Sequence, residues 1–288
     1  MTIGIVVPVH DRADQLALLL TALERQTGQD FHVVVADDGS GPDVRARVEE
    51  RRAAWSGRLG YVACGPRTGV RIGRARNIGA ANLPPDAGTL YFLDADTLPH
   101  AGVLAGLAKA AEEHPEQVIY GPVDWLPETP AADLAAHVAE DRLDDLRAKV
   151  PAAVPGTLPA QVDGTIVGPD IRFSLFGGLR EHDPDAPLPV RPYWSQAANC
   201  AVPRGLFERL GGFDERVTGR GTPELAFGAA LARAGVTCLA RPDLWCLHLW
   251  HPRGADPDEP PAFDLDAAVE EFGMPAGIFL TCLGGALG

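Results

Sequence analysis

Three short apolar runs, each ending abruptly at a polar cluster, constrain this chain more than any other feature. Residues 3–9 (IGIVVPV) end at His10-Asp11-Arg12. Residues 31–36 (FHVVVA) end at Asp37-Asp38-Gly39-Ser40, and residues 89–93 (TLYFL) end at Asp94-Ala95-Asp96. The runs are too short for buried helices and read as strands covered on both faces. Leu16, Leu18, Leu19, Leu20 and Leu23 fall mostly at helical spacing and predict a helix over 13–26. Residues 43–52 read as a charged surface helix, 59–64 as a further strand and 73–81 as an alanine-rich helix. This alternation predicts an α/β fold, a parallel sheet flanked by helices. Ligands of such sheets gather beyond the carboxyl ends of the strands, where all three polar clusters fall.

The second half is less regular. Residues 131–150 predict one acidic amphipathic helix, and 151–195 are rich in proline and glycine, as expected of long loops or an insertion. A helix starts near Leu206, Gly211-Gly212-Phe213-Asp214 reads as a turn, and residues 224–234 as a helix ended by Gly235. Strands are expected over 236–240 and 245–250, and residues 253–261 read as a polar linker.

Composition narrows the function. With 46% hydrophobic and 22% charged residues the chain is not disordered. A net charge of −14 repels phosphate backbones, so no nucleic-acid partner is expected. The five cysteines are odd in number and never spaced C-x-x-C, which supports neither a disulfide framework nor structural zinc. The N-terminus lacks a signal-peptide pattern, so a cytoplasmic location is expected. Residues 273–288 are uncharged and glycine-rich but shorter than the roughly 20 residues a membrane span needs. They read as a packed tail or partner contact, with no transmembrane helix.

Asp94 and Asp96 alternate on an extended chain, so both carboxylates can face one ligand. Two neighbouring anions repel unless a cation lies between them, and hard oxygen ligands suit Mg²⁺ or Mn²⁺ bridged to a phosphate. A solvated strand end is the alternative. In Asp37-Asp38-Gly39-Ser40, glycine permits a tight turn that leaves one carboxylate free for a base or ribose; a plain turn is the alternative. Residues 71–79 (RIGRARNIG), with Arg67 upstream, form the densest basic stretch, where a diphosphate could be neutralised. Surface salt bridges are the alternative there.

In order and spacing, residues 3–11, 37–40, Ala75-Arg76-Asn77-Ile78-Gly79 and Leu93-Asp94-Ala95-Asp96 resemble the family 2 glycosyltransferases of GT-A fold. Asn199-Cys200-Ala201-Val202-Pro203-Arg204 and Gly211-Gly212-Phe213-Asp214-Glu215 resemble the family's acceptor-side segment. The resemblance implies a single GT-A (Rossmann-like) domain over 1–254, with a nucleotide-sugar half (1–125), an acceptor half (126–254) and a C-terminal tail (255–288). It implies a nucleotide-diphosphate-sugar donor, most commonly with uridine, a divalent metal, and transfer with inversion to a small-molecule, peptide or glycan acceptor. Pro8, His10, Asp11 and Asp38 would meet the nucleoside, Arg71, Arg76 and Asn77 would support the donor pocket, and Asp94 would contact ribose or metal. Asp96 would ligate the metal with Asp94. His248 or His251 would complete the site, as a late histidine does in related GT-A enzymes; imidazole favours Mn²⁺. Trp194, Asn199 and Asp214 fall on the acceptor side, and Trp245 and Trp250 could add an apolar face.

One segment departs from the family. A Glu-Asp pair is usual after the Gly-Gly-Phe-Asp turn; here Pro223 replaces the first acid and Glu224 falls where the aspartate, the acceptor's base, is expected. Glu224 as base is one expectation, helix capping behind Pro223 the other, with Asp214 as the fallback base. The departure keeps a second class open, a nucleotide-sugar binding module with impaired catalysis. A nucleotidyltransferase is a third, but the first strand end lacks a glycine-rich, lysine-bearing phosphate loop.

Overall fold

The computed structural model describes residues 2–28, 30–67, 69–152, 160–162, 165–170, 188–190, 197–217 and 222–251. The first apolar run becomes β1 (Thr2–Val9), flanked by β2 (Phe31–Asp37) and β4 (Ala87–Leu93), both parallel to it; β3 (Leu59–Ala63) continues the sheet beside β2. Alternation along these strands feeds two separate cores. Ile3, Ile5, Val7 and Val9 pack with Leu16, Leu19 and Leu23 of α1 (Ala13–Glu24) and with Val44 and Val48 of α2 (Pro42–Arg52). Val6, Val34 and Phe92 point the other way, into a core with Phe207, Phe213 and Phe227. Burial on both faces explains why these strands are continuously apolar rather than alternating.

α3 (Ile72–Ala81) covers the second face closely. A Cβ on Gly79 would lie 2.5 Å from Val6 Cγ1 and 3.3 Å from Ala36 Cβ, so only glycine lets the helix approach. α1 and α2 lie on one face and α3 on the other, and β1 stands between β2 and β4. The strand order therefore reverses at β1 and β4, the switch point at which open α/β sheets bind ligands.

Four strands extend the sheet beyond β4, in the order β4, β11 (Asn199–Pro203), β6 (Val118–Tyr120), β12 (Cys238–Ala240), β10 (Leu188–Val190). β11 is antiparallel to both neighbours, so the sheet is mixed and mainly parallel. A small second sheet sets β13 (Cys246–His248) between β5 (Thr97–Pro99) and β7 (Val123–Trp125), with Thr97 opposite His248. β8 (Ala160–Val162) and β9 (Thr165–Val167) form a separate hairpin. Among the described residues the remaining α-helices are α4 (Val103–Glu113), α5 (Ala131–Ala139), α6 (Leu143–Arg147), α7 (Arg204–Leu210) and α8 (Thr222–Arg233). No helix among the described residues is long and apolar enough to cross a membrane. The tail expected over 255–288 lies outside the described residues.

The single helix expected over 131–150 is two. Asp141 takes a left-handed backbone (φ 54°) between α5 and α6, and the turn lets Val138 join Leu143 and Leu146 in one core.

His100, just after β5, is satisfied as a neutral ring. Its Nδ1 accepts the Gly102 N–H (3.1 Å), its Nε2 donates to the Asp243 carbonyl (2.8 Å), and Trp245 stacks on it. Burial pushes its pKa below the ordinary 6.5. Because the unfolded chain binds the proton more readily, this stability is complete above 6.5 and is lost as pH falls towards the folded value. The urea-unfolding free energy should therefore drop more between pH 7 and pH 5 in the wild type than in His100→Gln; equal drops would contradict this.

Candidate active site

The carboxyl end of β4 carries both aspartates, and the tertiary structure gives them different partners. Asp96 is held between two imidazoles: His248 Nε2 lies 3.5 Å from Oδ1 and His251 Nε2 lies 3.4 Å from Oδ2. β13 delivers His248 by pairing with β5, and the Leu249 N–H binds the Asp96 carbonyl at 2.8 Å. Among the described residues, Asp96, His248 and His251 are the cluster that could hold a metal, with ligand atoms all within 4.8 Å of one another.

The chemistry of the donors fits a cation. His248 Nδ1 lies 2.8 Å from the Leu249 carbonyl, which can only accept, so Nδ1 carries the proton and Nε2 presents a lone pair towards a carboxylate oxygen. Two such lone pairs attract only through a proton or a metal ion between them. Trp125 stacks on His248 (centroids 3.8 Å apart, 21° between planes) and restricts its ring. Burial alone would raise the pKa of Asp96; the two imidazoles, when charged, and Arg12 outweigh it and hold the carboxyl well below the usual range.

Asp94 turns to the other side. Its Oδ1 accepts from Arg76 Nη2 at 2.9 Å, while Arg76 Nη1 binds Glu224 Oε1 at 2.5 Å. Arg76 is 0% exposed, and its guanidinium also packs over the Phe213 ring. Burial raises Asp94 to about 6, with the Asp96 and Glu224 charges adding to it against the pull of Arg76. Thus Asp94, expected to contact ribose or metal, stands outside the Asp96–His248–His251 cluster and pairs with Arg76 of α3.

At the ends of β1 and β2 a second polar surface forms. Asp37 builds the turn, accepting the Ser40 N–H (2.8 Å) and the Tyr61 hydroxyl (2.7 Å), and Gly39 takes φ +79°. Asp38 is buried, which raises its pKa although it accepts the Arg71 backbone N–H and faces Arg74. Asp11 adopts φ 47°, a conformation costing an L-residue about 1–2 kcal/mol. Its Oδ1 accepts the Gly41 N–H and its N–H binds Ser40 Oγ, clamping the first strand-end loop to the second. His10 lies beside it, with Nε2 3.3 Å from Asp11 Oδ2, and Pro8 is buried in β1 opposite Ala36.

Other expected residues hold the scaffold. The Asn77 amide donates to the Phe213 carbonyl and accepts the Phe213 N–H, bracing the Gly211-Gly212-Phe213-Asp214 turn. Asn199 was expected at the acceptor but is 1% exposed; it accepts from the Tyr91 hydroxyl and donates to the Pro122 and Leu244 carbonyls, all inside the core. Trp245 is buried between His100 and Arg147. Asp214 pairs with the exposed Arg216, which lowers its pKa. Trp194 lies outside the described residues. Sequence reasoning missed Trp125 and Arg12; only the position of Arg12, directly after His10-Asp11, offered a signal.

With this geometry in place, the comparisons decide the family. The glycosyl transferase family 2 profile matches residues 4–134. This segment belongs to glycosyl transferase family 2. The family 2 segment contains His10, Asp11, Asp38, Arg76, Asp94 and Asp96, whereas Glu224, His248 and His251 lie beyond it. Over 261 residues, 87% of the chain, the protein is 32% identical to validoxylamine A glucosyltransferase of Streptomyces hygroscopicus subsp. jinggangensis (strain 5008). It is 31% identical, with the same coverage, to the protein of that name from Streptomyces hygroscopicus subsp. limoneus. The chain spans 56% and 52% of the lengths of these relatives. Among solved structures, S. aureus TarS 1–349 in complex with UDP-GlcNAc superposes with a TM-score of 0.62 at 14% identity, covering 94% of this chain and 64% of that one. TarS 1–349 in complex with UDP gives 0.57 at 16% identity, covering 88% and 61%. These likenesses carry the fold, and the expected GT-A architecture is the one observed.

Proposed function

We propose that this protein is a metal-dependent glycosyltransferase that moves a sugar from a nucleotide-diphosphate donor to a hydroxyl-bearing acceptor, inverting the anomeric carbon in a single displacement. The observation that carries it is the Asp96–His248–His251 cluster at the switch point of a family 2 fold, beside the buried Asp94–Arg76–Glu224 chain. Asp96, His248 and His251 would hold the ion; two imidazoles and one carboxylate suit Mn²⁺ better than Mg²⁺. When bound, the ion supplies positive charge against the diphosphate as the bond to it breaks. The UDP and UDP-GlcNAc complexes of TarS support uridine as the base, and the name of the curated relatives supports a glucosyl donor and a small-molecule acceptor. Asp38, with Asp11 and His10 beside it, would recognise the nucleoside, and Arg71 would flank it.

A thermal-shift panel of UDP, GDP, CDP and dTDP with Mn²⁺, Mg²⁺ or EDTA tests this. One nucleotide should stabilise the protein with Mn²⁺, by about 2.7 kcal/mol at a hundredfold excess over Kd, and lose the effect in EDTA. No shift with any nucleotide would overturn the proposal.

Glu224 is expected as base or as helix cap; its ion pair with Arg76 supports a further role, that of holding Arg76 against Asp94, and it is this role that competes with the base. Acting as the acceptor's base would require it to release Arg76 in the bound complex. Glu224→Gln separates base from anchor: a base mutant loses kcat at unchanged metal-dependent UDP affinity, whereas an anchor mutant loses both. Wild-type protein that binds UDP with Mn²⁺ but turns over no donor, even by hydrolysis, would favour the binding module.

A further inference from the structure

We propose that Arg12 anchors the diphosphate of the ligand and thereby makes metal and nucleotide bind together rather than independently. The inference rests on the donor site proposed above and extends it to a residue to which the strand-end motifs assign no role. Arg12 follows β1 and immediately precedes α1, and its Nη2 lies 3.4 Å from His251 Nδ1. A guanidinium has donors only, so His251 Nδ1 accepts this bond and the ring proton sits on Nε2, facing Asp96 Oδ2 at 3.4 Å. A histidine that coordinates through Nε2 needs the opposite arrangement, with its proton on Nδ1, where it would meet the N–H groups of Arg12. In this arrangement Arg12 holds His251 in the tautomer that cannot ligate through Nε2.

A metal ion entering the cluster disturbs this in two ways. It demands that Arg12 leave His251, and it places a dication beside a guanidinium that already acts electrostatically on Asp96. Both penalties disappear if an anion with several oxygens takes the Arg12 donors while bridging to the ion, and a diphosphate has that form. The backbone under Arg12 is fixed for the task, because Asp11 is bonded to both Ser40 and Gly41 of the neighbouring loop. The side chain alone has to swing from imidazole to phosphate.

The test is the coupling between metal and ligand in the full chain, read by Mn²⁺ EPR and by calorimetry with Mn²⁺ alone, UDP and inorganic pyrophosphate. In the wild type, Mn²⁺ should tighten UDP and pyrophosphate binding, and each should tighten Mn²⁺ by the same factor. Arg12→Gln should bind Mn²⁺ alone more tightly than the wild type and lose about tenfold or more of its Mn²⁺-dependent UDP and pyrophosphate affinity. Arg12→Lys, which keeps the charge without the fork, should fall between the two. A variant that binds Mn²⁺ alone no better, or keeps wild-type coupling, would overturn the assignment. Wild-type protein that couples Mn²⁺ to pyrophosphate but to no nucleotide diphosphate would uphold Arg12 and overturn the donor reading instead. Coupling to neither would overturn both.

Discussion

Asp96→Ala is expected to abolish metal-dependent nucleotide binding and to lower kcat/KM by more than about a hundredfold, since changing even an outer-shell partner of a metal ligand costs 10–100-fold. Asp96 is the carboxylate of the cluster and touches both imidazoles, so its loss removes the negative charge and leaves two neutral donors. Asp96→Asn, which keeps an oxygen but not the charge, should retain part of the affinity. The comparison is made by thermal shift with UDP plus Mn²⁺ against UDP plus EDTA. Only the metal-dependent increment should vanish, while the shift in EDTA matches that of the wild type. A wild-type increment in Asp96→Ala would move the metal site elsewhere.

Arg76→Met should destabilise the fold by about 3–5 kcal/mol, the range for removing one partner of a buried ion pair. The guanidinium is fully buried and neutralises two carboxylates at once, Asp94 at 26% and Glu224 at 11% side-chain exposure. Methionine fills much of the volume and keeps contact with Phe213, so the deficit reports stranded charge rather than a cavity. Stranded carboxylates can escape by protonating, so the deficit should shrink from pH 8 to pH 5. Urea unfolding of both proteins at the two pH values measures this. A pH-independent deficit would mean that packing, not charge, is what Arg76 supplies.

The four N-terminal strands, and the acids at the ends of three of them, were legible because their causes are local. A strand buried on both faces must be apolar at every position, and a chain leaving a parallel sheet must break into polar residues at the carboxyl end. Residues 3–9, 31–36 and 89–93 meet both conditions within a dozen residues each. Helix continuity was less legible. Residues 131–150 keep their helical period, but burying Val138 together with Leu143 and Leu146 required a turn at Asp141 that periodicity does not register. Asn199 sits in a motif-like segment, yet β11 runs between β4 and β6 and carries its amide into the core.

Sequence by itself determined the fold class, the strand ends that line the site and the residue types available there. Tertiary structure alone decided which of those groups meet. Arg76 binds Glu224 across 148 positions and Arg12 reaches His251 across 239, and Asp96 faces His248 because β5 and β13 pair in a second sheet. An acid alone at a strand end serves equally as metal ligand, cap or salt-bridge partner; its partner decides, and partners this distant are set by strand order rather than by any local pattern. That is why Asp94 and Asp96, two positions apart and alike in sequence, end in different roles: one is neutralised by a buried arginine, the other is framed by two imidazoles.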